Sequence, residues 1–179
     1  MAAGTILVLQ VTMIPETLVT ETWQGSAQSS PSEARAAIGR LGRQQPALLA
    51  YVLAASEALS PAAGELMVYV FFVLSRVFYA TGEKVRRVPP AAIDECEANI
   101  EARLTTLQGA HDAFVERAAF VLSGNQPHVF RYVVEAIMEA PSDPIDPIRL
   151  TPEEQGAIFI GLATAITALD QHGLSNPQP

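Results

Sequence analysis

Proline recurs at the head of apolar-periodic segments, and no other feature narrows the fold of this chain so far. Proline is tolerated at the first helical position, where its missing N–H has no intrahelical partner, and a preceding Ser or Thr supplies a capping oxygen. Ser30-Pro31-Ser32-Glu33 adds the reciprocal glutamate of a capping box, and Thr151-Pro152-Glu153-Glu154 repeats it. Ser60-Pro61, Gln45-Pro46, Pro89-Pro90 and Asn125 with Pro127 mark four more starts. Gly82, Gly124 and Gly173 fall where a left-handed residue would end the helices opened at Pro61, Pro90 and Pro152. The spacing predicts helices over 31–44, 46–59, 61–81, 90–123 (breakable at Gly109), 126–140 and 152–172. The expected fold is all-α: a single-domain bundle of about six helices spanning 30–173, with a tail at 174–179. Helix lengths differ too much for a stacked solenoid.

The segment before Pro31 reads differently. Thr5 to Ile14 is rich in β-branched residues and too short for a capped helix, so it is expected as an extended or strand-like arm. A lone strand needs a partner, for which the same segment of a second subunit would serve; alternatively, Met13 is the native start. Pro15 to Ser29 turns to Thr, Glu, Gln, Gly and Ser and is expected as a loop anchored by Trp23, so that 1–29 forms an arm and loop. Pro141 to Pro152 carries four prolines and is expected as a stiff, extended connection.

Composition then limits the partners. The net charge is −8, with ten Arg and a single Lys, Lys84. Residues 91–179 alone carry −9, against +1 for residues 1–90. Nucleic acid is not expected, because its binding rests on Lys and Arg neutralising phosphates. One cysteine, Cys96, leaves no internal disulfide, and no basic n-region precedes the apolar arm, so a reducing, cytoplasmic setting is expected.

Ile93, Cys96, Ile100, Leu104, Leu107, His111, Phe114, Ala118 and Val121 form one stripe at helical spacing. By contrast 47–59, 66–80 and 157–169 are apolar almost all round, which predicts helices buried on several sides. Leu66 to Ala80 covers only about 22 Å and includes Arg76, so a core helix is expected there, not a membrane span. Ala157, Gly161, Ala165 and Leu169 form a small-residue ridge that admits a close helix neighbour. Charged residues are only 17% of the chain, against about 25% in typical soluble domains. Three apolar-sided helices are hard to cover in one bundle, and a homodimer is expected to share the excess.

Chemistry is expected to be absent or confined to one place. There is no P-loop, dinucleotide fingerprint, H-E-x-x-H, C-x-x-C or G-x-S-x-G, nor a Glu-x-x-His pair for a di-iron bundle. No cofactor is expected. His111-Asp112 resembles the metal-binding dipeptide of HD-type phosphohydrolases, which are also all-helical, and that resemblance makes His111 and Asp112 the candidate metal ligands. No histidine precedes His111 to complete such a site, and its place on the apolar stripe suits a buried or interface histidine. His128 and His172 are accounted for by helix ends, and the Gly82–Arg87 basic cluster by a solvated turn. Arg76 must pair or reach water, because an unpaired buried charge is costly. Either Glu116 or Glu135 on another helix meets it, or Arg76 with Tyr69 or Tyr79 holds a carboxylate or phosphate of a small ligand. The leading expectation is a non-catalytic module that binds a protein partner or itself. The alternative is a buried anionic small-molecule site around Arg76, possible also in an enzyme.

Overall fold

A computed structural model describes residues 13–105, 114–145 and 147–174. Among them are eight α-helices and no strand: α1 Glu16–Ala27, α2 Pro31–Gln44, α3 Pro46–Glu57, α4 Pro61–Ala80, α5 Pro90–Leu104, α6 Phe114–Leu122, α7 Pro127–Glu139 and α8 Pro152–Ala168, which runs into a π-helical turn at Leu169–Gly173. The all-α bundle is as expected; the helix count is eight where about six were read. All six proline-headed starts are helix starts. Both capping boxes form: Glu33 N–H donates to Ser30 Oγ at 3.3 Å and Glu154 N–H to Thr151 Oγ1 at 3.1 Å. Glu154 reaches further, since its Oε1 also accepts the Ser60 N–H at 3.1 Å and so caps α4, whose own Ser60 side chain makes no capping bond.

One of the extra elements corrects the sequence reading. Pro15 to Ser29, read as a loop, contains α1. Its Thr-rich sequence is a weak helix former, and tertiary contacts decide the matter: α1 packs on α4 and α7, burying Val19 and Ser26, with Ile14 buried just before it. Trp23, the expected anchor, remains 39% exposed. The segment from Pro90 contributes α5 and α6 among the described residues; the expected break point Gly109 lies outside them, with Leu107, His111, Asp112 and most of the expected arm. Gly82 (φ 77°) and Gly124 (φ 39°) adopt the left-handed conformation, whereas Gly173 is absorbed into the π-helical turn.

α4 and α8 form the centre. Eleven residues of α4 and nine of α8 are buried, and both helices belong to one continuous core. Gly161 on the small-residue ridge faces the Met67 methyl so closely that a Cβ would collide with it, so the ridge serves packing within the chain. At 20 residues α4 is about 30 Å long, enough to cross a bilayer, but 61% of its apolar window is buried inside the bundle. α3 departs from the expectation of burial all round: only Leu48 and Val52 are buried, and Leu53 is 42% exposed.

The chain is built twice over. α1 packs on α4 as α5 packs on α8, and α3 on α4 as α7 on α8; α3 also reaches α8, as α7 reaches α4, and α4 meets α8 at the join. The connectors correspond as well. Gln45-Pro46 opens α3 and Gln126-Pro127 opens α7, each followed by a Tyr-Val pair at the same spacing (Tyr51-Val52, Tyr132-Val133), and Leu59-Ser60-Pro61 answers Leu150-Thr151-Pro152.

Candidate functional site

Tyr69, Phe72, Arg76 and Tyr79 lie at steps of three, four and three along α4, which puts them on one face. α2 runs over that face without closing on it. Of its fourteen residues only Leu41, in its C-terminal half, is buried, so a cleft remains between the helices. The cleft has two compartments. The larger, about 900 Å³, is lined mainly by apolar and small side chains, among them Ile38, Leu59, Val68, Tyr69 and Phe72, with Glu57 and Glu65 also in its wall. The smaller, about 290 Å³, is lined by Arg40, Leu41, Gln44, Phe72, Arg76 and Tyr79 among others.

Arg76 stands where the compartments meet. Its Nη1 donates to Ser29 Oγ at 3.2 Å, and its guanidinium carbon sits 5.6 Å from the centroid of Phe72, the one ring common to both linings. Ser29 Oγ in turn donates to the Gly25 carbonyl at 3.0 Å, which leaves its lone pairs to Arg76. Neither Glu116 nor Glu135 meets Arg76; the ion pairs among the described residues are those of Glu16 with Arg131 and His128. Arg76 does act on Glu33. Its carboxyl is held below the ordinary carboxylate range first by the Ser30 hydroxyl and backbone N–H, with the Arg76 charge contributing least.

The two tyrosines occupy different compartments, Tyr69 the larger and Tyr79 the smaller. Burial raises both pKa values, opposed at Tyr69 by Arg76 and at Tyr79 first by the Gln45 hydrogen bond, so both hydroxyls stay protonated at neutral pH. Tyr79 Oη accepts from Gln45 Nε2 at 3.1 Å. Arg40, Gln44, Ser29 and Phe72 were not singled out from the sequence. Arg40 and Gln44 each stand a helical step of three from Ala37 and Leu41 respectively, which line the same compartment.

The other candidates have structural surroundings. Cys96 is buried, and burial raises its thiol pKa, with Glu95 adding to the rise. The Gly82–Arg87 turn is tied down, for Arg86 N–H donates to the Gly173 carbonyl at 2.6 Å and Arg87 Nη2 to the Arg43 carbonyl at 2.8 Å. Among the described residues no group of three His, Cys, Asp or Glu is placed to hold a metal ion, and His111 and Asp112 lie outside those residues. No family model, no curated protein and no solved structure matches the chain.

Proposed function

We propose that this chain is a non-catalytic binding protein whose ligand-receiving surface is the cleft between α2 and α4. The observation that carries the reading is the cleft itself: an apolar compartment of about 900 Å³, within the range of roughly 300–1,000 Å³ common to ligand sites, roofed by a helix that buries a single residue. The serine hydroxyls of the two linings donate to backbone carbonyls of their own segments, Ser26 to Thr22, Ser29 to Gly25, Ser56 to Leu53 and Ser75 to Phe71, which favours binding over turnover. The neutral apolar dye N-phenyl-1-naphthylamine tests it. The folded protein is expected to enhance the dye's fluorescence, and Val68→Asp to weaken binding at least tenfold with unchanged circular dichroism. Equal binding by both proteins overturns the reading.

Self-association is the second reading, and a different observation favours it. Of the three apolar helices α4 and α8 are largely covered within the chain, while α3 keeps Leu53 42% exposed. The reading rests mainly on Phe120, Ile145 and Met138, which are 86%, 93% and 42% exposed in the second half and line no part of the cleft. Light scattering after size exclusion is expected to give a homodimer that Phe120→Glu dissociates; a monomer at micromolar concentration overturns this reading.

A further inference from the structure

We infer that the α2–α4 cleft is the site of a single-chain carboxylate amphiphile, with its tail along Leu59, Val68 and Phe72 and its carboxylate on Arg76, where it replaces the Ser29 hydroxyl. This rests on the cleft reading and specifies its ligand.

Shape supports a chain-like ligand. The linings run from Pro61 to Ala80 along α4, a helix of 20 residues and about 30 Å. The cleft is therefore long and follows one helix face, and its two compartments share Phe72.

Charge sets the ligand's class and direction. The smaller compartment is lined by two arginines, Arg40 and Arg76, together with Tyr79 and Gln44, and no carboxylate residue lines it. Among the described residues neither arginine has a carboxylate within ion-pair distance. Glu33, the glutamate on which the Arg76 charge acts, is engaged by its capping box, accepting from Ser30 N–H at 2.8 Å and Ser30 Oγ at 2.7 Å. At the other end Glu57 and Glu65 line the larger compartment and would repel an anion. A carboxylate is thus directed to one end and an apolar tail fills the rest. At Arg76 it exchanges a neutral hydroxyl acceptor for a charge-assisted pair, to which a planar guanidinium is suited in bidentate form. The N-terminal half of α2, which roofs the larger compartment, buries none of its residues, so a tail can enter without opening the core.

Fluorescence titration of the lipid-stripped full chain with cis-parinaric acid, followed by displacement, tests the inference. Dodecanoate is expected to displace the probe at least tenfold more effectively than dodecanol or acetate, and about tenfold more effectively than decanoate, two methylenes shorter. Arg76→Gln is expected to weaken dodecanoate at least tenfold while leaving N-phenyl-1-naphthylamine binding intact. Arg40→Gln, at an exposed position, is expected to weaken it about threefold, and it decides the matter if Arg76→Gln fails to fold. Equal displacement by dodecanoate and dodecanol, or indifference to the arginine substitutions, overturns the carboxylate inference but spares the cleft reading if Val68→Asp still abolishes dye binding. Indifference of both probes to Val68→Asp overturns both.

Discussion

Gln45 Oε1 accepts the backbone N–H of Val88 at 3.0 Å, and at the matching point of the other half Gln126 Oε1 accepts the N–H of Ile14 at the same distance. Each glutamine is buried at the head of a proline-initiated helix and holds the residue just before the proline N-cap of another, α5 in one case and α1 in the other. Each half thus grips the entry of its counterpart. Gln45 Nε2 is satisfied by Tyr79 and the Arg86 carbonyl, and Gln126 Nε2 by Asp170 at 2.6 Å.

Replacing either glutamine by leucine strands a buried N–H and its neighbours. An unsatisfied buried donor costs about 1–3 kcal/mol, so Gln45→Leu and Gln126→Leu are each expected to lower the melting temperature by about 2–10 °C, read by calorimetry. An unchanged melting temperature for both would show that the grip contributes nothing.

Glu154 serves two helix starts, and its carboxyl is held below the ordinary range first by the Ser60 hydrogen bond and then by Thr151. A depressed folded pKa stabilises above the unfolded value of 4.5 and ceases to do so as pH falls through the folded one. Wild type is expected to melt higher than Glu154→Gln at pH 7, with the gap closing below pH 4.5. A gap that does not narrow as pH falls below 4.5 contradicts the dual-cap role.

Asp170 has the opposite sign. Burial raises its carboxyl above the ordinary value of 3.8, against the opposing bonds from Gln126 and Asn125. A raised folded pKa favours the fold at low pH and penalises it as pH rises through that pKa. Asp170→Asn keeps an acceptor for Gln126 and removes the penalty. It is expected to be at least as stable as wild type at pH 7, with less pH dependence between 3 and 7; thermal melts across that range decide it.

Glycines on two helices separate packing from propensity. A Cβ at Gly64 would lie 2.8 Å from the Ser56 backbone oxygen, where α3 and α4 approach, so Gly64→Val is expected to cost about 1–3 kcal/mol. Nothing lies within 4 Å of a Cβ at Gly25 in α1, and Gly25→Ala is expected to add about 0.5–1 kcal/mol. Urea titration checks both, and a destabilised Gly25→Ala would place an unseen neighbour there.

The helix starts and the acid-sided stripe of α5 were determined by sequence alone because their causes are local. A capping box spans four residues, a proline acts on its own backbone, and Ile93, Cys96, Ile100 and Leu104 are buried as their spacing implies. What the sequence could not settle depended on contacts between distant segments. α1 has no capping side chain, and its entry is held by Gln126, 112 residues away. The doubling was masked because the α3–α4 connection is three residues and the α7–α8 connection twelve, though the Gln-Pro and Tyr-Val correspondences were present to be read. The site was legible to the extent that Arg76, Tyr69 and Tyr79 share a helix face. The Arg76–Phe72 contact is likewise an i,i+4 pair within α4, but that Arg76 meets Ser29, with Arg40 lining the same compartment, was decided by how α2 and the turn before it stand against α4, a packing relation that no local residue pattern encodes.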